Sequence, residues 1–384
     1  MAVTSMSPEK ESDGWRVSFG LRWALLFFLN YVPWDAPWSP LRSVGLRMRG
    51  PRGPGEWLAT HIAAWIQVPR TYQDFWGIAV EALAVVPLAC LWTLFDRRTR
   101  SNAVVREAVY LLVRYSLSIG MFYYGVAKVI GHQGIPQPAP IDWIRPLGEI
   151  SSGQLMWTWL GYSPSFQVFA GINELLGAIL LLFRRTTLLA ALLILPVMVY
   201  VTVLDTTFHV GPRATAALFA MTAFYLVVTE WRRLAGVFIF GKPTVPPPPN
   251  KLWASPRLAV AQRGLWAVVV AFLLWTSFFW QIAMNIDIGG RQSALCGVYR
   301  VERFARDGHV LPDEDAMRWR EVAINDFGDY IRVRSMDDSD LLWQALPGRP
   351  YRLITGYKFG DYRKFLARTS GVHGELTLKR LRTY

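Results

Sequence analysis

Residues 103–130 read AVVREAVYLLVRYSLSIGMFYYGVAKVI, and this stretch decides the fold. It is longer than the ~20 apolar residues that cross a bilayer, yet it carries Arg114 and Lys128 within its apolar part. A Lys or Arg at the centre of a membrane helix costs roughly 2.5–3.5 kcal/mol on insertion scales, so such residues face a bundle interior and pair there. The next apolar run, residues 166–183, holds a carboxylate, Glu174. Together the two runs describe a membrane protein with a polar interior.

The composition agrees. Of 384 residues, 52% are hydrophobic and 14% aromatic, with 18 Trp, and mean hydropathy is positive. That balance suits helices facing lipid better than one soluble core, which excludes most soluble-enzyme readings. The net charge of +13 does not point to nucleic acid, because the basic residues sit beside apolar runs as topology determinants and lipid contacts. Two cysteines, Cys90 and Cys296, form no CxxC or Cys/His framework, so neither a structural disulfide nor a metal centre is expected. The polar first 14 residues precede an apolar stretch interrupted by Arg16 and Arg22. With no small-residue cleavage site after it, the stretch reads as a retained anchor.

Apolar runs of spanning length fall at residues 15–34, 75–95, 103–130, 166–183, 187–204, 214–231 and 265–285, giving seven expected helices. The first is the weakest, because of its arginines and Pro33. Basic residues between spans set the orientation: Arg97, Arg98, Arg100 and Arg106, then Arg184 and Arg185, then Arg232, Arg233, Lys242, Lys251, Arg257 and Arg263. These loops are expected in the cytoplasm. The first loop disagrees, with Arg42, Arg47, Arg49, Arg52 and Arg70 on the expected outer side; its WLATHIAAWI segment suits an amphipathic helix on the membrane surface. An odd number of spans then leaves the N-terminus cytoplasmic and the C-terminus extracytoplasmic, in the plasma (inner) membrane.

The polyproline segment GKPTVPPPPNKLWASP is a stiff linker. Beyond residue 286 the chain turns polar, and WREVAIN, YIRVRSM and GELTLKRL alternate with a two-residue period, as half-buried strands do. NDFGD between the first two reads as a turn. The expected organisation is an N-terminal two-helix region (1–102), a four-helix core (103–240), a Pro-rich linker (241–262), a final helix (263–286) and a small β-rich extracytoplasmic domain (287–384).

Within the third span, Tyr110, Arg114, Leu117, Met121, Tyr124 and Lys128 follow steps of four and three, which stacks them on one helix face. At ~1.5 Å per residue Arg114 and Lys128 are about 21 Å apart, with Lys128 near the outer interface. In the fourth span Gly171, Glu174 and Gly177 share a face, where glycines permit close approach. Glu174 lies about 12 Å in from the outer end of its span, nearest in depth to Tyr124. The expected network is Tyr124, Lys128 and Glu174, with Arg114 as an outlying member. Two readings stay open: a lock between helices, or a proton relay or site for a quinone or other small amphiphile. At the end of the fifth span Asp205 and His209 lie four residues apart, on the expected side of His132 and Gln133. An imidazole beside a carboxylate can shuttle protons, or with a second His can bind a metal; an exposed His at a capped helix end is the plainer reading. Glu81 is a further buried carboxylate without a legible partner. Trp143, Trp157, Trp159 and Trp231 read as interfacial anchors, and Asp313, Glu314 and Asp315 as a solvated turn, since the spaced ligands of a calcium loop are missing.

RYSLSIGMFYYGVAK, followed by WTWLGYSPSFQVFAGINELLGAILLLFRRTT and a fifth span ending in a polar turn, resembles the DoxX-like integral membrane proteins over about residues 103–235. The shared pattern falls on Arg114, Tyr124, Gly125, Lys128, Gly161, Gly171, Glu174 and Gly177, and on Gln133. The resemblance implies a four-helix membrane core and a link to quinone-coupled thiol or sulfur oxidation, or to redox complexes assembled with a soluble or envelope partner protein. Taken with the spacing of the residues themselves, it leaves Lys128, Glu174 and Tyr124 as the candidate catalytic residues and Arg114, Gln133, Asp205 and His209 as the candidate cofactor-binding ones. The chain departs from the pattern in having His209 and Arg213 at the outer turn and GIP after Gln133. A fainter resemblance is to the transmembrane domain related to vitamin K-dependent carboxylase, in which a buried lysine would act as base; a carboxylate near Lys128 would favour its charged form instead. The resulting expectation is a redox-associated, quinone-linked membrane subunit. Its alternatives are a non-enzymatic anchor presenting the β domain, and a carboxylase-related enzyme.

Overall fold

The computed structural model describes residues 8–30, 61, 73–96, 99–130, 139–210, 213–243, 256–273, 275, 282, 296–306, 309–325, 330–344, 352–353 and 374–382. The protein is mostly helical, with an antiparallel sheet towards its C-terminus. It divides into two compact units, one of residues 1–131 and 167–282, the other of residues 132–166 and 283–384.

The first unit contains α1 (Pro8–Asn30), α2 (Gln73–Ala84), α3 (Val86–Phe95) and α4 (Thr99–Ile130). The second unit takes α5 (Pro140–Trp143) and α6 (Ser152–Tyr162). The first resumes with α7 (Pro164–Leu181), α8 (Thr187–Thr207), α9 (Arg213–Thr229), α10 (Trp231–Phe238) and α11 (Pro256–Leu273). Among the described residues, three helical stretches are long and apolar enough to cross a membrane: Phe75–Phe95, Pro164–Leu181 and Thr187–Thr207. A fourth passes only as the pair Arg213–Thr229 and Trp231–Phe238, which is bent by 69°. The protein therefore reads as a membrane protein, while seven spans go beyond what these helices establish. The apolar part of α1, Val17–Leu29, is short. α4 is 32 residues long, but its tyrosines, serines and Arg114 dilute its apolar character, and it is not among the three.

α4 forms the spine of this unit. Val105, Val109, Val113, Leu117 and Met121 recur every four residues and are buried, packing on Phe27 of α1, on Ala178 and Leu181 of α7, on Ala190, Ile194 and Met198 of α8 and on Ala223 and Leu226 of α9. Small residues at these crossings let backbones approach, as suits helices that gain no hydrophobic driving force from lipid. Arg22, one of the two arginines that weakened the first expected span, is fully buried and its two terminal nitrogens are paired. Arg22 Nη2 bonds the Asp96 carbonyl at 2.6 Å and lies 3.4 Å from its carboxylate, Nη1 donates to Ser18 Oγ, and the guanidinium rests over the Trp92 ring.

Among the described residues the second unit is built on a seven-stranded antiparallel sheet: β1 (Gly297–Arg306), β2 (His309–Val310), β3 (Trp319–Ile324), β4 (Tyr330–Ser335), β5 (Asp340–Gln344), β6 (Arg352–Leu353) and β7 (Gly374–Arg382). β7 runs along one side of β1, while β2 and β3 pair with β1 at its two ends. The segments WREVAIN, YIRVRSM and GELTLKRL, expected as strands, contain β3, β4 and β7. Tyr299, Val301, Phe304, Val322, Ile324 and Val333 form one cluster, whereas Val298 and Ala323 cluster with Ile144 beside α5. Asn325 and Tyr330 close the β3–β4 pair at this end through two bonds, Asn325 N to Tyr330 O and Tyr330 N to Asn325 Oδ1, both 3.0 Å; the rest of the expected NDFGD turn lies outside the described residues. The acidic turn is also ordered, with Asp313 2.7 Å from Arg318 and Asp315 capping the amide of Met317.

Candidate functional site

The site begins at the crossing of α4 and α7. Gly125 and Gly171 face one another there: a Cβ on Gly125 would lie 2.9 Å from the Gly171 carbonyl oxygen, and one on Gly171 would lie 2.8 Å from that of Gly125. One turn further along each helix stand Lys128 and Glu174, which meet with Nζ donating to Oε1 at 2.5 Å. At 9% and 3% exposed, the pair is removed from water. Four residues beyond Glu174, the Ala178 carbonyl accepts a 2.8 Å bond from Ser118 Oγ, which fixes the rotation of the two helices against each other.

Lys128 uses one carboxylate oxygen only. Glu174 Oε2 is buried without a hydrogen-bond partner among the described residues. Tyr124 lies within electrostatic range of Glu174 and of Asp205, and Asp205 within range of Lys128. Lys128 is thus paired with one carboxylate, with a second carboxylate and a phenol in the same electrostatic neighbourhood. Such a group can hold a proton, or accept a donor from a small polar headgroup at the open oxygen while Lys128 and Tyr124 supply donors. The Tyr124 ring is held edge-on by Tyr123 and Phe219.

The remaining candidates separate. Arg114 is 2% exposed but sits far down α4. Its Nη2 bonds the Tyr115 hydroxyl at 2.7 Å and its guanidinium stacks 4.5 Å over that ring, so it does not join Lys128 and Glu174. The helical rise between residues 114 and 128 keeps them apart. Asp205 is buried and His209 exposed; His209 takes a left-handed φ of 57° in the turn after α8, so the acid turns to the polar group and the imidazole leaves it. Gln133 and His132 lie outside the described residues. Among the described residues no group of three or more His, Cys, Asp and Glu is placed to hold a metal ion, and neither Cys90 nor Cys296 is in a disulfide.

No family model matches the chain, and no solved structure does. Over 148 residues, 38% of this chain and 92% of the relative, it is 27% identical to "Uncharacterized protein YwoB" of Bacillus subtilis (strain 168). A stretch of that length therefore resembles nearly the whole of a shorter protein.

Three polar elements escaped the sequence reading. Ser118, buried on α4, looked like an ordinary helix serine. Gln167 is buried on α7, on the face shared by Gly171 and Glu174, and that periodicity was a usable signal. Glu107 is bound by Arg184 through both carboxylate oxygens, at 2.5 and 3.3 Å, and Arg184 also lies 4.9 Å over the Tyr110 ring. Nothing local announces a pair separated by 77 positions.

Proposed function

We propose that the protein is a DoxX-like, redox-associated membrane subunit whose polar group at Lys128, Glu174, Tyr124 and Asp205 receives a quinone headgroup. The observation that carries this reading is Glu174 Oε2, a buried acceptor left open beside a lysine donor. A buried polar atom without a partner is unfavourable by about 1–3 kcal/mol, and a ligand hydroxyl would relieve it. Lys128 and Tyr124 supply donors for a carbonyl on the same headgroup, and the apolar helices around them suit a hydrophobic tail. A bound quinone would supply two-electron, two-proton chemistry; electrons would pass to or from a soluble or envelope partner protein. The chain's own residues orient the headgroup, exclude water and hold a proton at Glu174 or Asp205.

In this reading seven helices cross the plasma membrane, with α1, α2 to α3, α4, α7, α8, α9 and α11 as the spans, the N-terminus in the cytoplasm and the C-terminal sheet outside. The run of basic residues after α3, α7 and α9 supports that orientation.

A second reading, an anchor that presents the sheet unit to an envelope partner without chemistry of its own, draws support from the size and order of that unit. Purification from native membranes in mild detergent, with quinone extraction and identification of co-purifying proteins, tests both. Stoichiometric isoprenoid quinone, lost in Glu174→Gln, supports the first. No quinone, together with a stoichiometric envelope protein that departs when residues 287–384 are deleted, overturns it in favour of the second.

A further inference from the structure

We infer that α10 and the four residues after it form an interfacial device that binds anionic phospholipid headgroups, separate from the Lys128–Glu174 site. α10 follows α9 after a 69° bend at Glu230. If α9 stands near the membrane normal, α10 lies close to the membrane plane. The bend is held by its own contacts: Arg233 Nη1 bonds Glu230 Oε2 at 2.8 Å, and the amides of Arg233 and Leu234 bond the Glu230 carbonyl.

The end of α10 is equally built. Ile239 N and Phe240 N both bond Ala235 O, Lys242 N bonds Gly236 O at 2.8 Å, and Gly241 turns the chain at φ +56°, a conformation that favours glycine. On this closed end Val237, Phe238, Ile239 and Phe240 are all exposed, Phe238 at 77% and Ile239 at 73%. Four adjacent exposed apolar side chains on ordered backbone require an apolar phase or a partner. Lys242 Nζ stands 5.7 Å from the Phe240 ring centroid, and Arg232 and Lys242 are exposed. Within α10 and residues 239–243 there is no acidic residue, and Glu230 is already paired with Arg233. Apolar side chains beside cations, with no anion of their own, complement an anionic membrane surface: the apolar groups enter the acyl boundary while Arg232 and Lys242 meet phosphates. The direct continuation from an apolar helix keeps this end at the bilayer.

The test uses the full-length chain in nanodiscs of phosphatidylcholine and phosphatidylglycerol. A spin label at Ile239→Cys, in a Cys90→Ala, Cys296→Ala background, reads depth. We expect access to oxygen and protection from a water-soluble nickel chelate. Access to the chelate, or protection from both reagents as in a protein contact, overturns the inference. In the chain with native cysteines, native mass spectrometry reads lipid preference. Removing each charge in Arg232→Gln and Lys242→Gln should lower phosphatidylglycerol affinity roughly fivefold, whereas an unchanged preference in the double variant overturns the inference. Neither readout depends on quinone occupancy.

Discussion

Gly125 and Gly171 make the α4–α7 crossing possible: each presents its backbone carbonyl to the place where the other's side chain would be, at 2.9 and 2.8 Å. The closeness sets Lys128 against Gly171, its Cβ 2.9 Å from where a side chain there would begin, and from that position Lys128 reaches Glu174. Gly171→Ala should therefore destabilise the protein by about 1–3 kcal/mol, the usual range for overpacking. Gly77→Ala, where a Cβ on α2 meets nothing within 4 Å, should be neutral or gain about 0.5–1 kcal/mol from helix propensity. Thermal unfolding in detergent compares the two, and equal shifts would refute the crossing.

Lys128→Met strands a buried carboxylate. Breaking a buried pair in this way typically costs about 3–5 kcal/mol, and removing both charges restores part of that. The double variant Lys128→Met, Glu174→Gln should thus be more stable than Lys128→Met alone. Additivity of the two single changes in a double-mutant cycle would show that the side chains do not interact.

In the sheet unit, burial holds Asp142 and Asp340 above the usual carboxylate range, outweighing the opposing pull of Arg332 and Arg145. A carboxyl that binds its proton more tightly when folded stabilises the fold in its protonated form. Their contribution is complete below the ordinary value of 3.8 and is lost as pH rises through the elevated values. Asp337 and Asp338 are shifted the other way, by Ser339 and by Arg320 respectively; they lie at the surface, where solvent screens them. Acidification from neutrality towards 3.8 should raise the protection factors of β3 and β4, taken relative to the intrinsic exchange rate at each pH, and Asp142→Asn should flatten that dependence. An identical pH profile in the variant would contradict the assignment.

Asn325 closes the β3–β4 turn through its side-chain oxygen on the Tyr330 amide. Asn325→Ala should cost about 1 kcal/mol and speed exchange at the Tyr330 amide while leaving α4 and α7 unchanged. Loss of protection spread equally over both units would instead mean that they unfold together.

Helix periodicity placed Tyr124 and Lys128 on one stripe of the third span and Glu174 on a stripe of the fourth, nearest in depth to Tyr124, and strand alternation marked β3, β4 and β7. Those are local signals, because side-chain direction along a helix or strand follows from backbone geometry. Depth along the helices favoured Glu174 as the partner of Lys128, but Glu81 and Asp205 also lie in or beside apolar runs, and the rotation of neighbouring helices decides among them. Sequence could not separate Asp205 from His209, four positions apart, since only the left-handed turn at His209 sends the imidazole outward. The association of residues 132–166 with the strands was equally hidden, as its contacts, such as Arg334 Nη1 to Ile144 O, span 190 positions. What the chain determined by itself was an apolar, polytopic character with a charged inner stripe and a β-rich end. Tertiary structure decided the pairing, because a buried charge takes its partner from whichever helix packs against it, and that packing is set by small residues far apart in the chain.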